Sequence, residues 1–227
     1  MNESSVVAII GAGTLGRCIA FDLSMMGHPV VLFDRNADSI SREVLKSASF
    51  AMLQPLYRLG YIPQDIVVKS VQNIQTVQSL EDVAAARPAL VIECVPENLA
   101  LKQGIFRTLE RLCPATTIFA SSTLNLRIND IAAGMARPGN FLGIRFFHPC
   151  VLIPLVELST GEATSSDVVM KVQRYMSLLH KTCHFGPSMQ VLDRVQVNNY
   201  QVETARQLGF HHESLPFAVQ VRQHGQH

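Results

Sequence analysis

Short apolar runs along the chain alternate with longer stretches in which apolar residues recur every three or four positions. The runs at residues 6–10, 30–33, 89–94, 117–120 and 141–147 are rich in β-branched and aromatic side chains and too short for helices, so they predict strands. Residues 155–158 add one more. The stretches 14–26, 37–58, 100–112 and 129–136 carry the helical period, and Ser165, Ser166 and Asp167 offer N-caps for a last helix to about Leu179. Because the strand runs are apolar throughout instead of alternating, both faces of the sheet are expected to be covered. Strand and helix in alternation then predict βαβ units. The expected fold is α/β, a Rossmann-type, doubly wound, mostly parallel sheet over residues 1–183.

From His184 the pattern weakens. Five of the eight histidines and seven glutamines fall in residues 184–227, with little periodicity, so this stretch is expected to be a short atypical tail. Composition supports a folded core before it: 48% of residues are hydrophobic and 16% charged. A formal net charge of +1, with no long basic run, gives no footprint for nucleic acid or an anionic membrane. A small-molecule ligand is the expectation. The five cysteines are odd in number, scattered and without metal-ligand spacing, as expected of reduced core thiols, and no metal is anticipated. Residues 6–10 are too short for a signal peptide or membrane span and lie too near Met1 to follow a presequence. The expected address is cytoplasmic.

The sharpest chemical signal is Gly11-Ala12-Gly13-Thr14-Leu15-Gly16, a G-x-G-x-x-G that follows a strand and opens a helix. Gly11 permits a tight turn, Gly13 lets backbone approach a pyrophosphate, and Gly16 lets the helix pack close to the strand. The anion then faces the positive helix start at Thr14 and Leu15. Asp34 closes the second strand, where a carboxylate accepts hydrogen bonds from a ribose and disfavours a 2′-phosphate. That pattern points to NAD, although Arg35 beside it could serve a phosphate instead. A purely structural glycine turn is the bland alternative.

Further along, Ile92-Glu93-Cys94-Val95-Pro96-Glu97-Asn98 with Lys102, then Ser121-Ser122-Thr123, then Phe146-Phe147-His148-Pro149, then Pro154-Leu155-Val156-Glu157, follow in order. Together with the glycine turn this series resembles the 3-hydroxyacyl-CoA dehydrogenase family, and its wording is similar to the lambda-crystallin branch, which includes L-gulonate 3-dehydrogenases. The resemblance implies NAD as cofactor and hydride exchange with a 3-hydroxyacyl-CoA in fatty acid metabolism. It implies that Glu97 and Lys102 lie near the nicotinamide ribose and that Glu157 orients a catalytic histidine. Read without it, Glu97 is a helix-start residue and Lys102 a solvated helix charge.

The pattern breaks where the chemistry should be. The position that the resemblance gives to the catalytic histidine is Arg145, whose guanidinium stays protonated and cannot act as a base. The polar residue expected after Thr123 is Leu124. His148, three residues past Arg145, serves as base if its ring meets Glu157; otherwise it is structural or lines the cofactor. Arg145 would then clamp a substrate carboxylate or lean over phosphates. The helical domain that closes the site and makes the family's homodimer contact has only a faint echo in Gly186-Pro187 and Asp193-Arg194. Three readings stay open: a 3-hydroxyacyl-CoA dehydrogenase, an L-gulonate-type hydroxy acid dehydrogenase, and a catalytically silent NAD-binding protein.

Overall fold

The computed structural model describes residues 1–2, 4–58, 65–148, 150 and 153–186; Pro149, Pro187, Asp193, Arg194 and the tail from 187 onward lie outside the described residues. Among these residues eight strands make one sheet: β1 (Val7–Ile10), β2 (Val30–Phe33), β3 (Ile74–Val77), β4 (Leu90–Glu93), β5 (Ile118–Ser121), β6 (Phe141–Phe146), β7 (Leu155–Ser159) and β8 (Thr182–Phe185). Their order across the sheet is β3-β2-β1-β4-β5-β6-β7-β8. The first six are parallel; β7 turns back antiparallel to β6, and β8 runs parallel to β7. The order reverses direction between β1 and β4, which is the switch point of a doubly wound sheet.

Among the described residues seven α-helices cover the sheet: α1 (Thr14–Met25), α2 (Arg42–Arg58), α3 (Asp65–Lys69), α4 (Leu80–Ala85), α5 (Leu99–Leu112), α6 (Ile128–Ala132) and α7 (Ser166–Leu178). The central strands are buried along their whole length because each face has its own core. Val7, Ile9, Leu32, Ile92 and Ala120 point to one side, where Ile19 and Phe21 of α1 and Val172, Tyr175 and Met176 of α7 pack. Ala8, Ile10, Val31, Val91 and Phe119 point to the other, against Val83 of α4, Phe106 and Leu109 of α5 and Ile131 of α6. This is the two-residue period of a strand read out as two cores.

The predicted strands are all present, and three differences concern weaker signals. The helix expected over 37–58 is broken: Asn36 caps a 3-10 turn at Ala37–Ile40, Ser41 is extended, and α2 starts afresh at Arg42. The helix expected over 129–136 stops at Ala132, and Gly134 takes a positive φ of 83°. Strands β3 and β8 and helices α3 and α4 are not among the predicted elements. In β3 only the end residues are buried, and β8 carries no fully buried residue, so neither edge strand has the apolar run that marks the centre.

The registers align the strand ends that matter. Ile10 stands beside Phe33 on one side and Glu93 on the other, and Glu93 stands beside Ser121. The segments that follow these four residues therefore meet along one edge of the sheet. At that edge helix α1 begins so close to β1 that a Cβ on Gly16 would collide with the carbonyl oxygen of Gly11. Gly16→Ala is expected to destabilise the fold by about 2 kcal/mol or more, as a forced backbone shift does. Urea unfolding measures it, and a change within about 0.5 kcal/mol would show that the turn relaxes freely.

Candidate functional site

The first wall of the site is the glycine turn. Gly11 has φ +103°, and its N–H donates to Phe33 O at 2.8 Å, tying the turn to β2. Gly13 caps α1 with no side chain, and the first turn of that helix holds no acidic residue. The first N–H groups of α1 and the positive end of its dipole are left to an outside anion. Gly13 and Thr14 are exposed and Leu15 half-buried, while Gly16 is buried against Gly11.

Asp34 is set by the turn it serves. Its Oδ2 accepts from Ala12 N at 2.7 Å and its Oδ1 from Asn36 N at 2.9 Å, so the carboxylate is oriented with further acceptor capacity on each oxygen. It lies on a cleft of about 660 Å³ that Gly11, Gly13, Phe33, Leu80, Val95 and Ile105 also line. The volume suits a small ligand. Glycine backbone for phosphates, a carboxylate for a ribose and apolar walls for a flat base fit an adenine dinucleotide. Arg35 is exposed and lines the same cleft.

Beneath the cleft lies a charge cluster that the sequence signals only faintly, as one acidic residue closing the apolar strand β4. Glu93 has no exposed surface, and Lys102 is 1% exposed. Lys102 Nζ donates to Glu93 Oε1 and Oε2 at 2.7 and 2.9 Å and to Val95 O at 2.9 Å, and Ser121 Oγ donates to Glu93 Oε2 at 2.6 Å. Burial pushes the Glu93 carboxyl up, while Lys102 and Ser121 oppose it. Lys102 is thus no solvated charge. All three of its N–H groups are committed behind the cleft, with Glu97 Oε2 3.8 Å away.

Glu97 is more exposed and bridges two loops. Thr123 Oγ1 donates to both its carboxylate oxygens at 3.0 Å, and Leu124 N donates to Oε1. Asn98 then caps α5 by accepting from Leu101 N at 2.9 Å. Thr123, which is not among the predicted site residues, couples the end of β5 to the loop after β4.

Farther along the edge, Arg145 and Glu157 face each other across the β6–β7 ladder and form an ion pair, Nη2 to Oε1 2.5 Å, with both side chains at least nine-tenths buried. Arg145 Nη1 also reaches Leu124 O at 3.5 Å, and its Nε has no hydrogen-bond partner among the described residues. The structure does not bring His148 to Glu157. His148 is exposed just past the end of β6 and lies close enough to Cys18 on α1 for the thiol to raise its pKa. The shift of three residues turns it to the helix side of the sheet edge.

The comparisons with known proteins converge on one family. Its model, the 3-hydroxyacyl-CoA dehydrogenase NAD-binding domain, matches residues 6–184. The chain belongs to the 3-hydroxyacyl-CoA dehydrogenase family. It is 32% identical over 169 residues to a 3-hydroxyadipyl-CoA dehydrogenase of Escherichia coli K12, covering 74% of this chain and 35% of the relative. Among solved structures, a 3-hydroxybutyryl-CoA dehydrogenase of E. coli K12 superposes with TM-score 0.73 at 29% identity, over 82% of this chain and 38% of that one. A (S)-3-hydroxybutyryl-CoA dehydrogenase of Ralstonia eutropha gives 0.75 at 26%, over 91% and 72%. The chain spans a little over a third of the length of these two E. coli relatives. What it shares with this dehydrogenase family is the NAD-binding domain. No helix among the described residues is long and apolar enough to cross a membrane.

Lys102→Met tests the buried pair. Removing one partner of such a pair leaves an uncompensated charge, so the variant is expected to lose about 3–5 kcal/mol of stability. Denaturant melts read this directly. A loss within about 0.5 kcal/mol, the range of a surface substitution, would mean that Glu93 needs no partner.

Proposed function

We propose that the chain binds NAD and serves as the dinucleotide-binding part of an oxidoreductase that interconverts a 3-hydroxyacyl-CoA and its 3-oxo form. The observation that carries this reading is the meeting, at one sheet edge, of the uncapped start of α1, the oriented Asp34 carboxylate and the apolar cleft beside them. NAD, when bound, supplies the hydride acceptor. Gly13 and the first turn of α1 hold its diphosphate, Asp34 accepts from the adenosine ribose hydroxyls, and Glu97 lies toward the other ribose with Lys102 behind it.

At the substrate oxygen this chain offers a fixed positive charge. Arg145, locked by Glu157 and with Nε uncommitted, donates to an oxygen that gains negative charge in the reduction direction. It cannot take a proton in the other direction. His148 holds the exchangeable proton in this reading, since its imidazole can both give and take a proton and stands exposed past the end of β6. The cell setting is turnover of 3-hydroxyacyl-CoA esters in fatty acid metabolism; the five free thiols suit a reducing compartment such as the cytoplasm.

A second reading is NAD binding without turnover, which the Arg145–Glu157 pair favours because it fills the place of a base and its orienting carboxylate. Consumption of NADH with acetoacetyl-CoA separates the two. The first reading expects a measurable rate that His148→Ala reduces at least about tenfold, as loss of an acid-base group does. It also expects Arg145→His to raise the rate, because an imidazole would then face Glu157. NADH binding with no rate in wild type and none in the folded Arg145→His variant would move the assignment to the second reading.

A further inference from the structure

Away from the cleft, on the face of α1 turned toward the loop after β6, two thiols touch. Cys150 Sγ donates to Cys18 Sγ at 3.0 Å, although the residues lie 132 positions apart. Both are buried without exposed surface. The contact is built. Lys181 Nζ holds the backbone of the Cys150 loop through Cys150 O at 2.5 Å and Ile153 O at 3.4 Å, and it pairs with Asp22 Oδ2 at 2.7 Å. Asp22 lies one helical turn beyond Cys18, so the same lysine fixes the helix and the loop relative to each other. His148, two residues before Cys150, is exposed and near enough for its charge to act on Cys18.

We propose that Cys18 and Cys150 form a reversible disulfide that staples the β6–β7 loop to helix α1, with a water-sized peroxide as oxidant. Closing the bond needs the sulfurs to approach by about 1 Å, since a disulfide spans about 2.05 Å. Both thiols are buried, so an oxidant of that size reaches Cys18 through a local opening beside the exposed His148.

The chemistry balances. The Cys18 thiolate attacks one peroxide oxygen, the O–O bond breaks, and the departing hydroxide takes a proton from His148 to become water. Cys18 is now a sulfenic acid. Cys150 sulfur attacks it, the S–O bond breaks, and the second hydroxide leaves as water with the Cys150 proton. One hydrogen peroxide is reduced to two waters while two thiols are oxidised to one disulfide. Cys18 starts the sequence because the Cys150 thiol donates to it and the His148 ring stabilises its anion, both of which lower its pKa against the effect of burial. Burial instead pushes the Cys94, Cys113 and Cys183 thiols up, to about 12, 11 and 11, which makes them internal controls.

The test uses the full chain. The folded protein is treated with stoichiometric hydrogen peroxide, alkylated and digested without reductant, and its peptides are mapped by mass spectrometry. The expected result is one linked pair of peptides carrying Cys18 and Cys150, with the other three cysteines alkylated. The oxidised protein should melt about 5 °C or more higher, because the crosslink closes a long loop, and dithiothreitol should reverse both changes. In Cys150→Ala, a sulfenic-acid trap such as dimedone should label Cys18. Uniform oxidation of all five cysteines, a linkage involving a different cysteine, or alkylation of Cys18 and Cys150 unchanged by peroxide would each overturn the proposal. The wild-type map does not depend on any variant folding.

Discussion

Helix α1 can start at the end of strand β1 only because two glycines let backbone meet backbone. Gly11 takes a backbone conformation that side-chain-bearing residues rarely adopt, and Gly16 rests on the Gly11 carbonyl with no room for a Cβ. That contact decides the direction of the helix. Its uncapped N–H groups therefore point at the switch point of the sheet, and Asp34 is drawn onto the same turn through Ala12 N. The cleft, its ligand preference and its acidic partner all follow from this approach.

A second layer keeps the neighbouring loops in place. Glu93, Lys102 and Ser121 make a buried network under the edge, and Glu97 with Thr123 ties the loops above it. Such a network stabilises little by itself, because desolvating the charges offsets much of their attraction. Its effect is positional. It fixes where the loops after β4 and β5 lie relative to the glycine turn, which a purely apolar edge would leave to side-chain packing.

How much of this was legible depends on how local each signal is. The central strands announce themselves because two covered faces demand unbroken apolar runs, and the glycine turn because its backbone geometry restricts residue type at fixed spacing. Strands β3 and β8 escaped notice because an edge strand buries little and its sequence is correspondingly mixed. The partners of the charged residues were not legible at all. Lys102 reads as a surface lysine on a helix until the fold places Glu93 beneath it, and His148 reads as a neighbour of Glu157 until the strand end turns it toward Cys18. Residues that face one another only through tertiary structure, such as Cys18 and Cys150, leave no trace in spacing.

The divergence at Arg145 and Leu124 is confined to the substrate side of the site. An ion pair across β6 and β7 occupies the place that the family resemblance gives to a histidine and its carboxylate, while the dinucleotide side keeps every element of its pattern. Binding and turnover are therefore separable in this chain, and the account stands first on binding. Calorimetric titration of the full chain with NADH and, in parallel, with NADPH is its most direct measurement. The account predicts saturable binding of NADH and at least about tenfold weaker binding of NADPH, whose 2′-phosphate meets the Asp34 carboxylate. Absence of heat with NADH at high protein concentration, or equal affinity for the two, would contradict it.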